Sequence, residues 1–151
     1  MPRATGNWLA ALKAYIPVSI GAHLAWEVLQ LPLYTIWSTG GPCEIAFAVV
    51  HCTGGDAVIA ITALSLALVL VGHENWPDQS YRKVLFVTLV FGVSYAIFSE
   101  WLNVTVRGSW AYTPDMPVVP VLGTGIGPLL QWISVPIAAL STARRFAEVR
   151  R

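Results

Sequence analysis

HLAWEVLQLPLY, residues 23–34, sets an imidazole, a carboxylate, an amide and a phenol into a segment that is otherwise apolar. Lys13 is the last charged residue before it, and Glu44 is the next charge beyond Glu27. His23, Glu27, Gln30 and Tyr34 fall at i, i+4, i+7 and i+11, a single face of an α-helix. Ionisable groups are costly in hydrocarbon and usually face the interior of a bundle. A polar stripe on an apolar helix therefore predicts an all-α integral membrane protein with an inward-facing site. Pro32 can open the backbone at the end of that stripe.

Composition agrees. Of the 151 residues, 56% are hydrophobic and only 11% are charged, whereas a soluble domain carries about 25% charged residues. The net charge of +1 provides no basic field for nucleic acid. Cys43 and Cys52 form neither a disulfide framework nor a zinc motif. The first residues lack the compact apolar core and small-residue cleavage site of a signal peptide, so the first apolar stretch reads as retained.

Four stretches reach the roughly 20 apolar residues that a span needs: residues 15–37, 44–71, 84–106 and 125–142. They predict one transmembrane domain, a bundle of four helices. Arg3 and Lys13 precede the first span, Arg82 and Lys83 join the second to the third, and Arg144, Arg145, Arg150 and Arg151 follow the fourth. Only Arg107 falls on the other side. The positive-inside rule then puts both termini in the cytoplasm, with a bacterial-type inner membrane as the expected location. Residues 107–127, rich in proline, glycine and aromatics, become an external connection that reads as an ordered re-entrant or lid-like loop.

With that topology, polar groups from all four helices converge in the outer half of the bundle, within about a turn or two at ~1.5 Å per residue. The expected acid–base residues are Glu27, Glu100, His23, His51 and Asp56. The expected substrate-binding residues are Trp26, Gln30, Tyr34, Trp101, Asn103, Trp110, Tyr112, Gln131 and Trp132. Gly54, Gly55, Gly92 and Ser94 read as small residues for close helix packing.

No nucleophile elbow, phosphate loop, zinc-protease helix or redox dicysteine is present. A carboxylic acid among apolar walls can stay protonated and act as a general acid, a second carboxylate or a histidine can accept a proton, and aromatic faces stabilise a developing cation. Those parts protonate an alkene and remove a different proton. The expected ligand is a hydrophobic, isoprenoid- or sterol-like lipid, with no cofactor and no resident metal. A homodimer is compatible with such a chain.

The His-x-x-x-Glu face from His23 to Glu27 resembles the emopamil-binding-protein (EXPERA) family of membrane sterol isomerases. The resemblance implies a bundle of membrane helices around a polar-floored lipid pocket, Glu100 in the role of a second carboxylate, and Gln131 and Trp132 as the amide and tryptophan of the last helix. RGSWAYTPDMP, residues 107–117, is similar to the Gly-x-Trp-x-Tyr element of small membrane-bound lycopene cyclases, whose Pro-x-Glu-Glu motif is absent here. Both resemblances imply acid-initiated alkene chemistry. Two alternatives belong to other classes. One is a haem- or metal-binding protein, with His23 and His51 as haem ligands or Glu27, His51, Asp56 and Glu100 around a metal. The other is a non-catalytic membrane subunit or small transporter.

Overall fold

The computed structural model describes residues 7–149. Helix α1 spans Trp8–Gln30, a short α2 spans Ile36–Thr39, α3 spans Pro42–Val71, α4 spans Tyr81–Glu100, and α5 spans Ile126–Val149. Among the described residues the regular structure is helical, and extended pairing is confined to two isolated bridges, Tyr34 with Tyr112 and Val118 with Gly125. Three helices are long and apolar enough to cross a membrane: Pro42–Val71, Tyr81–Val106 and Ile126–Val149. Their outer faces present Phe47, Val50, Val58, Val69, Phe86, Val90, Leu130 and Ile133, the surface that such helices offer to lipid.

The four long helices pack side by side in a ring, α1 against α3 and α5, and α4 against α3 and α5. Neighbours run antiparallel: Tyr81 at the start of α4 meets Ser141 near the end of α5, while Gly92 further along α4 faces Trp132 near the start of α5. Small residues set the spacing. A Cβ on Gly92 would lie 2.5 Å from the Trp132 ring, so glycine is what lets these helices approach. Gly54 and Gly55 have no such role, since a Cβ on either would meet nothing within 4 Å. Ser94 is exposed.

The first helix is placed differently from the span expected at residues 15–37. It begins at Trp8 and stops at Gln30. Pro32 has no N–H to donate and disfavours helical geometry in the residue before it, so the chain tightens into a 3₁₀ turn, Leu31–Leu33, and leaves the axis. Tyr34 is then extended, not the fourth member of a helical stripe. Helix α3 is entered through Pro42 in its first turn, and the Glu44 carboxylate accepts the Gly41 N–H at 2.8 Å, a carboxylate-to-N-cap bond. The last helix outruns residue 142 and continues to Val149, and in that extension Arg144 pairs with Glu148 at 3.0 Å and lies over the Tyr81 ring.

Beyond Glu100 the fourth helix widens into a π-turn, Trp101–Val106, closed by Arg107 N–H donating to the Leu102 carbonyl at 2.8 Å. π-Turns recur at functional sites because the extra residue re-aims side chains. The connection that follows is stitched to the segment after α1: Thr35 N–H donates to Ala111 O at 2.9 Å and Thr113 N–H to Leu33 O at 2.9 Å. It is an ordered cover, anchored at both ends. Lys13, Arg82, Lys83, Arg144 and Arg145 belong to the end of the ring opposite that cover, and Arg107 to the covered end.

Candidate functional site

The stripe on α1 meets α5 and α3 at one amide. Gln131 Nε2 lies 3.0 Å from Glu27 Oε1, 2.8 Å from Asp56 Oδ2 and 3.0 Å from His23 Nδ1. His23 Nδ1 is also 3.3 Å from Asp56 Oδ2. Gln30 Nε2 adds bonds to Glu27 Oε1 at 3.0 Å and to Gln131 Oε1 at 3.2 Å. Gln131, His23 and Gln30 are buried, and Trp132 closes over the imidazole with ring centroids 4.9 Å apart. The helical spacing of His23, Glu27 and Gln30 explains why one helix delivers three partners to one point.

Hydrogen counting defines what this cluster can hold. An amide nitrogen carries two hydrogens, and this one faces the Glu27 and Asp56 carboxylates and His23 Nδ1, which donates or accepts according to its tautomer. With the proton on Nδ1 the imidazole donates to Asp56 and the amide serves the two carboxylates; with Nδ1 bare, three acceptors share two hydrogens and a carboxyl proton completes the set. The Glu27 and Asp56 carboxyl groups also lie within hydrogen-bond reach of each other. The closest acidic neighbour of Glu27 is thus Asp56, where depth along the helices had pointed to Glu100.

Glu100 occupies a second position. Buried at the end of α4, it accepts a hydrogen bond from the Tyr112 hydroxyl. That hydroxyl in turn accepts the Gly125 N–H at 3.0 Å. Burial, and then the bond to Glu100, push the Tyr112 phenol well above its ordinary range, so it remains a neutral donor. Tyr34 and Trp110 also lie within polar reach of the Glu100 carboxylate, although the Trp110 Nε1–H closes no bond of normal geometry.

Between the two groups lies a cavity of about 800 Å³, near the upper end of the ~300–1,000 Å³ typical of small-molecule sites. Of the residues singled out by sequence, it is lined by Glu27, Gln30, Tyr34, His51, Asp56, Glu100, Asn103, Trp110, Gln131 and Trp132. His23 and Tyr112 stand behind the wall and act on Gln131, Asp56 and Glu100. Trp26 and Trp101 do not reach the cavity. Each is one residue from a lining carboxylate and so points about 100° away around the helix, and Trp101 packs on Phe98. His51 is at the exposed edge, stacked on Phe47 at 5.4 Å, with no part in the hydrogen-bonded cluster.

Cys52, Gly55, Ile59, Tyr95, Ser99 and Arg107 also line the cavity and were not marked as site residues by sequence. Helical spacing around the assigned residues carries the signal for five of them: Cys52 is four before Asp56, Gly55 four after His51, Ile59 three after Asp56, Ser99 four before Asn103 and Arg107 four after Asn103. Among the described residues no group of three or more His, Cys, Asp and Glu side chains is arranged to hold a metal ion. The set Glu27, His51, Asp56 and Glu100 is therefore not assembled as ligands. Comparison with protein-family models, with curated proteins and with solved structures returns no match for this chain.

Proposed function

We propose that the chain is a four-span integral membrane protein of a bacterial-type inner membrane, with both termini cytoplasmic, that isomerises or cyclises an isoprenoid- or sterol-like lipid by alkene protonation and deprotonation. The observation that supports the chemistry is the Glu27–Asp56 carboxyl pair gathered on Gln131 Nε2 at the wall of a lipid-sized cavity, where one proton shared by the pair can be held and passed on. Glu27, in contact with Asp56, is the donor. Its proton forms a new C–H bond at one alkene carbon and leaves a carbocation on the other. Trp132, Tyr34 and Trp110 face that cation. Glu100, oriented by Tyr112, takes a proton from a neighbouring carbon, and the electrons of the broken C–H bond become the new double bond. Return of one proton from Glu100 to the Glu27–Asp56 pair restores the site, so no cofactor is required.

Product formation from isoprenoid lipids in proteoliposomes tests this with Glu27→Gln, Asp56→Asn and Glu100→Gln. Each keeps size and hydrogen bonding while removing a titrating proton. If all three stay folded and turn over like the parent, the carboxylates are structural and the proposal fails. Orientation is tested separately. With Cys43 and Cys52 replaced by serine, Asp115→Cys should react with an impermeant thiol reagent on intact cells and Glu148→Cys should not; the reverse pattern contradicts the topology.

A further inference from the structure

Gly54 and Gly55 lie side by side in the middle of α3. Glycine inside a helix is destabilising relative to alanine, because it loses more backbone freedom and packs no side chain. Two things commonly justify it, and neither applies. Both residues are helical and neither is among the positive-φ glycines. Nor does a neighbour press on them, since a Cβ at either would meet nothing within 4 Å, in contrast to Gly92 against Trp132. Among the described residues no group uses the room that the two glycines leave.

Both are exposed, but their surroundings differ: Gly55 lines the cavity beside Cys52 and Asp56, whereas Gly54 lies outside it. Elsewhere on the wall, hydrogen-bonding capacity is unspent. Gln30 is 6% exposed, yet its Oε1 has no partner, and half-buried Trp110 brings its indole within polar reach of Glu100 without closing a bond of normal geometry. Buried polar atoms without partners are few in native structures and call for a ligand, a water or a catalytic role. The bare backbone at Gly55, the unpartnered Gln30 amide oxygen and the Trp110 indole belong to one lined space.

We propose that Gly55 is the specificity-determining wall of the site: an extended, largely apolar lipid lies directly against the α3 backbone there, with Trp110 as a further wall of the same space. The missing side chain sets how thick a ligand can lie between α3 and the Glu27–Asp56 pair. This deepens the preceding reading only in taking the cavity as a lipid site; it does not need the proton chemistry.

The test uses a long-chain isoprenoid alcohol carrying a photoactivatable diazirine, added to the full chain in nanodiscs, with labelling quantified for the parent, Gly55→Ala, Gly55→Leu, Gly54→Leu and Trp110→Phe. Gly55→Ala should raise the thermal midpoint, because the helix gains and nothing clashes, while labelling weakens. Gly55→Leu should lower labelling roughly tenfold or more through overfilling, Trp110→Phe should lower it less, and Gly54→Leu should match the parent. Thermal midpoints separate loss of fold from loss of site, and Gly55→Ala keeps the test valid if the leucine variant unfolds. Equal labelling of the parent and both Gly55 variants overturns the proposal, as does an unlabelled parent. Parallel loss in Gly54→Leu and Gly55→Leu with a change of oligomeric state also overturns it, because the glycines would then seat a second copy. A parent labelled in this Gly55-dependent way that forms no product sinks the proton chemistry and leaves this inference standing.

Discussion

The two ends of the helix ring are built on opposite principles. At the end that carries Lys13, Arg82 and Arg144, Ala11, Ala14, Ala67, Ala139, Ala143 and Ala147 let the helices close on Tyr15, Leu64, Leu140, Val84 and Trp76, all buried in one apolar cluster. At the other end the same helices hold Glu27, Asp56, Glu100 and Gln131 around an open cavity. Close packing of small residues is how helices associate where lipid gives no hydrophobic drive between them. The apolar end can therefore hold the ring together while the polar end keeps empty space and carboxyl groups that favour neither packing nor burial. Apolar packing is concentrated in one half and the cavity's ionisable side chains in the other.

That division makes substitutions in the two halves separable. The largest effect is expected from Glu27→Gln, which should lower turnover by the roughly 10²–10⁴-fold typical of a lost general acid or base while leaving the thermal midpoint near the parent's; a large loss of stability instead would make Glu27 a structural group. Trp76→Ala should do the reverse. Truncating this 2%-exposed side chain should cost about 3–5 kcal/mol of stability in denaturant titration, with turnover per folded molecule unchanged.

Gly92→Ala probes the border between the halves. Its Cβ would reach the Trp132 ring, which covers His23, so a stability loss of about 1–3 kcal/mol from overpacking should come with reduced turnover. A variant that changes neither would mean α4 and α5 can slide apart freely. The smallest effect is expected from Tyr112→Phe. It removes the donor to Glu100 and the acceptor of the Gly125 N–H, about 0.5–1.5 kcal/mol for an ordinary hydrogen bond. Faster hydrogen exchange at the Gly125 amide is the measurement, and unchanged exchange would remove Tyr112 as the clasp of the connection between α4 and α5.

Much of the polar end was legible because helical periodicity is local. The spacing of His23, Glu27 and Gln30 places them on one face from the sequence alone, and counting along antiparallel helices brought Gln131 to their height. Counting gives height but not direction around each axis. That is why Glu100 was matched to Glu27 when Asp56 is the neighbour in contact, and why Trp26 and Trp101, at the right height, point elsewhere. Pro32 was recognised as a place where the backbone could open, but that the chain would leave the helix there and hand Tyr34 to an extended pairing with Tyr112 depends on a segment far away in sequence. The roles of Gly54 and Gly55 were hidden for a related reason. A small residue in an apolar helix signals either close approach or free space, and only the position of the neighbouring helices distinguishes the two.

The central claim is that a carboxyl group in the polar half delivers a proton to carbon. Proteoliposomes containing the parent and an isoprenoid lipid mixture, incubated in D₂O and analysed by mass spectrometry and deuterium NMR, test it most directly. The account predicts one solvent-derived deuterium bonded to carbon in the isomerised or cyclised lipid, and its loss with Glu27→Gln while Gly54→Leu still incorporates it. Product formed without carbon-bound deuterium, or the same incorporation with Glu27→Gln as with the parent, would contradict it.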